Sequence, residues 1–376
     1  MDADYSIDKL LAGMLGWDAS DLHLTAGSPP VVRVRGEISP LDDLPPLTEE
    51  DTQQLLYRIL STEQQKRLEV QRQIDVSYAV PGVARFRVNV FFRQGSIGAA
   101  FRLIPHVIKS LEDLGLPSSL HELAERPRGL VLVTGPTGSG KSTTLASLVD
   151  EINRTRSAHI LTIEDPIEFL HPHRHCIVNQ REIGTDAPSF AEALRAALRQ
   201  DPDVILLGEM RDLETISTAL TAAETGHLVF ATLHTRGAAG TIDRIIDVFP
   251  AQQQSQVRTQ IAGALEAVVT QALLPTADGQ GRIASVEILL PDDAVRNLIR
   301  QGKVEQIYSV MQTGTSRGMQ TMEQSLGELV LRGAITTETA LACSSSPDQL
   351  LGLLERAGHV EPAAPAAVSG LRLAGV

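Results

Sequence analysis

Cysteine is scarce. The chain of 376 residues has two, Cys176 and Cys343, far apart and in no C-x-x-C pair. A disulfide framework and a cysteine-built zinc knuckle are excluded, and a reducing compartment is expected. Aromatic residues amount to 3%, too few to line a channel of stacked bases. A basic excess is missing as well: the formal net charge is −13, which argues against a surface devoted to nucleic acid. No run approaches the roughly 20 apolar residues needed to cross a bilayer. The longest apolar segment, Ile261 to Leu274, is interrupted by Glu266 and Gln271 and reads as a buried helix. The first residues, MDADYSIDKLLAGMLGWDASD, are acidic where a secretory signal is basic. The expectation is a cytoplasmic protein with no nucleic-acid partner and no direct membrane insertion, so that any membrane association goes through a partner.

What is present is ordinary globular composition, 43% hydrophobic and 21% charged, with length enough for two or three domains. Residues 1–105 read as an α+β domain. Tyr5–Leu15 has helical spacing, Asp21–Leu24 and Val31–Val34 alternate as strands, and Thr48–Ile59 and Thr62–Gln71 read as helices capped by Thr48 and Thr62. Val76–Val80, Ala84–Phe92 and Ile97–Ile104 follow as strands with turns at Pro81-Gly82 and Gln94-Gly95. Residues 106–120 read as a linker. From there to residue 291 short apolar strands (Leu130–Thr134, Ile160–Ile163, Val204–Leu207, Leu228–Thr232) alternate with helical stretches. That is the pattern of a doubly wound α/β domain whose parallel strands are covered on both faces. Arg282–Leu289 is a further strand, residues 292–357 read as helical, and the Ala- and Pro-rich tail 358–376 as disordered.

Chemistry concentrates in the α/β segment. GLVLVTGPTGSGKSTTLASLVDEI is strand, glycine-rich loop, helix, and it matches G-x-x-x-x-G-K-[ST]. Gly135, Pro136, Thr137, Gly138, Ser139, Gly140, Lys141, Ser142 and Thr143 form the loop. Its glycines allow backbone N–H groups to approach phosphates. Lys141 is placed for the β- and γ-phosphates, Ser142 for Mg²⁺, and the helix start for the anion. ATP with Mg²⁺ is the implied ligand. Glu164 and Asp165 follow the strand of ILTIEDPIE, and Glu209 follows the strand of VILLGEMRD. Carboxylates at strand ends lie where open α/β sheets bind ligands. Glu209 can hold Mg²⁺ through water or orient the attacking water, whereas Asp165 and Glu168 also suit a simple turn. In GHLVFATLHT, His234 falls at the carboxyl end of a strand and His227 at the opposite end, so the two do not share a metal. His234 can sense phosphate or pair with a strand-end acid. His171, His173 and His175 lack other soft ligands nearby and read as a solvated loop.

These four blocks, in this order, resemble the secretion-superfamily ATPases of type IV pili and type II secretion. Within that superfamily the chain resembles the PilT family of pilus retraction ATPases. The assembly and type II relatives carry a tetracysteine module that this chain cannot build, and AVRNLIRQ at Ala294–Gln301 is close to the family's AIRNLIRE, departing at Val295 and Gln301. GKVEQIYSVMQTG and GMQTMEQSL continue the likeness. Read as a helix, Ala294, Val295, Leu298 and Ile299 share one face and Arg296, Asn297, Arg300 and Gln301 the other, with Asp292 or Asp293 as the cap. The resemblance implies a fold of class α/β: a PAS-like α+β amino-terminal domain, then a RecA-like P-loop NTPase domain with a helical carboxy-terminal extension. It further implies a homohexamer, an inner-membrane pilus platform protein as partner and a peripheral location at that membrane. Glu209 and Glu164 match the essential acids, His227 and His234 the histidine box, and Arg87 and Arg102 the arginines that reach the nucleotide. Arg195 and Arg199 are weaker interface candidates. A nucleic-acid motor, a regulatory nucleotide-binding module and an accessory retraction paralogue are the alternatives.

Overall fold

The computed structural model describes residues 6–34, 36–104 and 107–358, so Tyr5 and the tail beyond Gly358 lie outside the described residues. The chain divides into two compact units. One is Met1–Ile108 with Asp165–Pro172, the other Lys109–Glu164 with His173–Val376.

The first unit begins α1 (Ile7–Gly16), β1 (Ala19–Leu24), β2 (Val31–Val34) and β3 (Glu37–Pro40). It continues α2 (Glu49–Ile59), α3 (Thr62–Gln71), β4 (Gln73–Val80), β5 (Ala84–Arg93) and β6 (Ser96–Ile104). The strands make one sheet in the order β3-β2-β1-β6-β5-β4, antiparallel at every pairing. Alternation sorts β5: Phe86, Val88 and Val90 are fully buried while Arg87 is exposed, as the two-residue period of a strand requires. Leu11, Met14, Leu56, Leu68 and Phe101 complete the core. Thr48 caps α2 as expected, boxed with Asp51. The cap of α3 is Ser61 rather than Thr62. Its hydroxyl accepts from the Gln64 N–H while the Gln64 side chain returns to the Ser61 N–H, a reciprocal pair that requires the spacing S-x-x-Q. Strand β3 is exposed throughout, so it has no apolar alternation to announce it.

The second unit runs α4 (His121–Glu125), β7 (Gly129–Thr134), α5 (Lys141–Thr155), β8 (His159–Glu164), β9 (Ile177–Glu182), α6 (Phe190–Ala197) and β10 (Val204–Leu207). Next come α7 (Leu213–Glu224), β11 (Leu228–Leu233), α8 (Ala238–Asp247), α9 (Ala251–Ala264), β12 (Leu265–Pro275) and β13 (Arg282–Leu289). The sheet order is β13-β12-β7-β11-β10-β8-β9. All of its pairings are parallel except that of β13 with β12. Every residue of β7, β10 and β11 is buried. Leu130 and Leu132 face one apolar cluster and Val131 and Val133 the other, so helices cover both faces. The expected linker is largely part of this unit. Leu111, Leu116 and Leu120 are buried in its core, and the Ser147 hydroxyl of α5 donates to the Lys109 carbonyl at 2.7 Å.

The helix expected over Ile261–Leu274 is wrong. Helix α9 ends at Ala264 and β12 begins at Leu265. A continuous apolar run has no periodicity with which to tell helix from strand, and pairing with β7 and β13 decides it. Both polar interruptions then have a structural place. The register slips between Leu265 and Ala267, a bulge at Glu266, whose carboxylate meets Arg126 and Arg296. Gln271 is buried beside the glycine-rich loop.

The remaining helices are α10 (Asp293–Gln301), α11 (Ile307–Thr313), α12 (Met322–Leu331), α13 (Thr337–Cys343) and α14 (Pro347–Arg356). Asp292 caps α10 by accepting from the Val295 N–H at 2.9 Å. The two faces expected for α10 need correction. Val295 and Ile299 are buried, but Ala294, at the helix start, is exposed. Arg296 is turned inward, where it donates to the Ala262 carbonyl at 2.7 Å and to Glu266 at 3.2 Å. The α9 carbonyls freed where that helix ends attract its guanidinium. Among the described residues no helix is long and apolar enough to cross a membrane.

Candidate nucleotide site

Strand β7 delivers the chain into the loop Gly135–Gly140, and α5 starts at Lys141. Two glycines are dictated by geometry. A Cβ on Gly135 (φ 136°) would sit 2.2 Å from the Gln271 carbonyl oxygen, and one on Gly140 (φ 89°) would sit 2.8 Å from the Gln271 amide nitrogen. Both angles are in the left-handed region open to glycine. Pro136, Thr137 and Gly138 are exposed, Ser139 is buried, and Ser142 and Thr143 are half-buried. Lys141 is 8% exposed, and its ammonium donates to the Gly135 and Pro136 carbonyls at 3.0 Å each. The cation is therefore held over the loop, where an anion's charge would develop.

Gln271 was not singled out as a site residue in the sequence, although a polar residue inside an apolar run was the signal. Its side-chain oxygen accepts from the Thr144 hydroxyl of α5 at 2.8 Å, while the Thr134 and Thr270 hydroxyls pair at 2.9 Å. Strand β12 thus braces both the loop and the helix that follows it. Gln271→Ala leaves the Thr144 hydroxyl buried without this acceptor and opens space under Gly140. We expect it to cost about 1–3 kcal/mol, read as a lower melting temperature together with weaker ADP binding.

The order β7-β11-β10-β8 places four carboxyl ends side by side. The glycine-rich loop leaves β7, His234 follows β11, Glu209 lies just past β10 and Glu164 ends β8. Glu209 is the centre of a charged contact: its carboxylate accepts from Arg211 Nε at 2.5 Å and lies 3.3 Å from His234 Nε2. Partial burial raises this carboxyl, but the hydrogen bond and charge of Arg211, with His234 adding to them, outweigh it, and Glu209 sits below the ordinary glutamate range. His234 thus pairs with a strand-end acid. Arg211 was not recognised in the sequence, although it stands two residues beyond Glu209. Glu164 is buried, accepting from the Thr162 hydroxyl at 2.6 Å and from Gln180 Nε2 at 3.2 Å.

The other candidates stand in different surroundings. His227 precedes β11, at the end away from His234, and its Nδ1 meets the Ala222 carbonyl at 3.0 Å. Arg195 pairs with Glu214 across α6 and α7, and Arg199 is exposed. His173 Nδ1 accepts from the Val178 N–H at 3.0 Å. Asp165 and Glu168 group with the first unit. There Pro166, Ile167 and Glu168 line a cavity of about 180 Å³ together with Arg87, Arg102, Leu103 and Ile104. Arg87 and Arg102 are directly opposed on β5 and β6. Like charges so placed repel, and Arg102 is steadied by Asp21, which it meets at 2.8 Å. Burial raises the Asp21 carboxyl, while Ser20 and Arg102 bring it below the ordinary aspartate range.

Among the described residues no group of three or more His, Cys, Asp or Glu is placed to hold a metal. The oxygens of Ser142 and Glu209 are hard donors that suit magnesium arriving with a nucleotide.

The model of the family "Type II/IV secretion system protein" matches residues 85–342. The "Type IV pilus retractation ATPase PilT" of Pseudomonas aeruginosa is 52% identical over 91% of this chain and 99% of its own length. A "Twitching motility protein" of Neisseria gonorrhoeae is 54% identical over 83% of each chain. Among solved structures, the pilus retraction motor PilT with bound ADP superimposes with a TM-score of 0.87 at 53% identity, covering 92% of this chain and 99% of that one. The chain is an ATPase that belongs to the Type II/IV secretion system protein family and, within it, to the PilT retraction ATPases.

Proposed function

We propose that this protein hydrolyses Mg-ATP to drive retraction of a type IV pilus, removing pilin as a homohexamer that acts on an inner-membrane platform protein from the cytoplasmic side. The observation that carries the reading is the alignment of glycine-rich loop, His234, Glu209 and Glu164 along one sheet edge, in a chain 52% identical to a PilT over nearly its whole length. The loop N–H groups and Lys141 bind the phosphates, and Ser142 holds magnesium, which supplies charge neutralisation when bound. Glu209 orients the attacking water and takes its proton, and His234 and Arg211 fix the Glu209 carboxylate. Glu164, buried at the neighbouring strand end, is the second acid of the reaction. Arg87 and Arg102 supply positive charge to the transferring phosphoryl group.

Arg87→Ala is expected to lower kcat for ATP by about 10²-fold, with the first unit still folded because Arg87 is exposed. Arg102→Ala carries a second cost, since it strips Asp21 of its 2.8 Å partner, and its melting temperature should fall where that of Arg87→Ala does not. The pilus role is tested by deleting the gene and scoring pili and twitching. Abundant pili with no twitching is the expected result. Loss of all pili indicates an assembly motor, and unchanged motility an accessory paralogue. Mass measurement with nucleotide bound tests the six-chain assembly. Filter binding at low salt tests the nucleic-acid alternative, which requires tight, salt-sensitive retention.

A further inference from the structure

We infer that Glu287 is a positioning residue for ATP hydrolysis: by capping α8 it seats the loop that carries His234 and ties that loop to the carboxy-terminal helices. The inference rests on the role proposed above for His234. Glu287 projects from β13 and is 7% exposed. Its Oε1 accepts from the Ala238 N–H, the first of α8, at 2.7 Å. The cap residue of that helix is Gly237, which offers no side chain, so the carboxylate from a distant strand takes its place. Burial, with the nearby Glu323 charge adding to it, pushes this carboxyl above the ordinary glutamate range, and the Ala238 N–H pulls the other way. Beside it, the Ser325 hydroxyl of α12 accepts from the Ser285 hydroxyl at 2.9 Å and the Val286 N–H at 3.0 Å, which ties β13 to the carboxy-terminal helices.

The contact continues in both directions. Towards the site, the Thr235 hydroxyl pairs with Thr241 of α8 at 2.6 Å, and Thr241 also donates to the Gly237 carbonyl at 2.7 Å. Thr235 is the residue after His234, so the seat of α8 sets where the imidazole stands beside Glu209. Away from the site, Glu323 of α12 accepts from the Tyr308 hydroxyl at 2.8 Å, the Ser344 hydroxyl at 3.0 Å and the Ser346 N–H at 3.2 Å. These bonds join α11 and the start of α14 to α12, the helix bonded to the strand that carries Glu287. An ordinary structural cap would need none of this proximity to His234.

Glu287→Gln keeps the size but leaves a neutral amide, a weaker acceptor for the Ala238 N–H than a carboxylate. We expect kcat to fall about tenfold, with KM for ATP and ADP affinity within about twofold. The discriminating measurement is a double-mutant cycle with His234→Ala. If Glu287 acts through His234, Glu287→Gln adds no further loss in the His234→Ala background. Equal losses in both backgrounds, or an unchanged kcat in the single variant, overturn the inference while leaving the ATPase site reading intact. An unchanged kcat in His234→Ala itself removes the role assigned to that histidine and this inference with it. Should Glu287→Gln unfold, Thr235→Val loosens the same loop without touching the carboxylate. The same non-additive pattern with His234→Ala is then expected, and additive losses overturn the inference.

Discussion

Glu209→Gln is expected to lower steady-state ATP hydrolysis by about 10³-fold while leaving ADP binding within a few-fold. The amide keeps the volume of the side chain and can still accept from Arg211 or His234, so the sheet edge should survive. What it cannot do is take a proton. Phosphate release and nucleotide titration on the same sample separate the two effects, and normal turnover would remove Glu209 from the chemistry. The charge state also has a definite sign. Arg211, 2.5 Å away, and His234, 3.3 Å away, hold Glu209 below the ordinary glutamate range despite its partial burial. A depressed carboxyl contributes stability above its unfolded value, and that contribution is lost as pH falls through the lower folded value. The free enzyme therefore keeps Glu209 ionised through the neutral range. Arg211→Ala removes the leading stabiliser of the anion, so the acidic limb of kcat/KM should move to higher pH.

Lys141→Ala is expected to abolish measurable turnover, a loss of at least about 10³-fold, and to weaken ATP binding as well. The reasoning differs from that for Glu209. Lys141 is a buried cation already aimed by two carbonyls at 3.0 Å, so its removal deletes the positive charge held over the loop. Lys141→Arg should not restore activity, because a planar fork does not fit where a point charge is cradled by carbonyls. A thermal scan gives the check. The variant should melt near the wild-type temperature without nucleotide but lose the upward shift that ATP produces in the wild type, since only a ligand that binds the folded state raises it. A retained shift together with retained hydrolysis would contradict the placement of Lys141 at the phosphates.

The elements that could be read in advance share a property: their signal lies within a few consecutive residues. Strand β10 is legible at Val204–Leu207 because it is a short apolar run bounded by polar or turn residues, and the structure agrees there and at Arg282–Leu289. The loop Gly135–Gly140 followed from its glycines and the adjacent lysine. Failures arose where the signal was flat or remote. Ile261–Leu274 is apolar without periodicity, and only the partners of β12 made ten of its fourteen residues a strand. Ser61 displaced Thr62 as a cap because the reciprocal bond of Gln64 reaches it. Arg296 sits on the polar side of an isolated α10, yet the end of α9 and the bulge at Glu266 draw it inward.

By itself the sequence determined that this chain carries a strand–loop–helix of the phosphate-binding pattern, that acids follow two of its strands, and that its family is that of the PilT retraction ATPases. Contiguous residues carry those features, and local backbone geometry needs nothing else. The tertiary structure alone decided that Arg211 holds the Glu209 carboxylate, that Gln271 braces Thr144 from 127 positions away, and that Glu287 caps a helix 49 positions before it. Strand order and register bring these pairs together, and both are set by how the sheet buries its two faces, which no local stretch of the chain records.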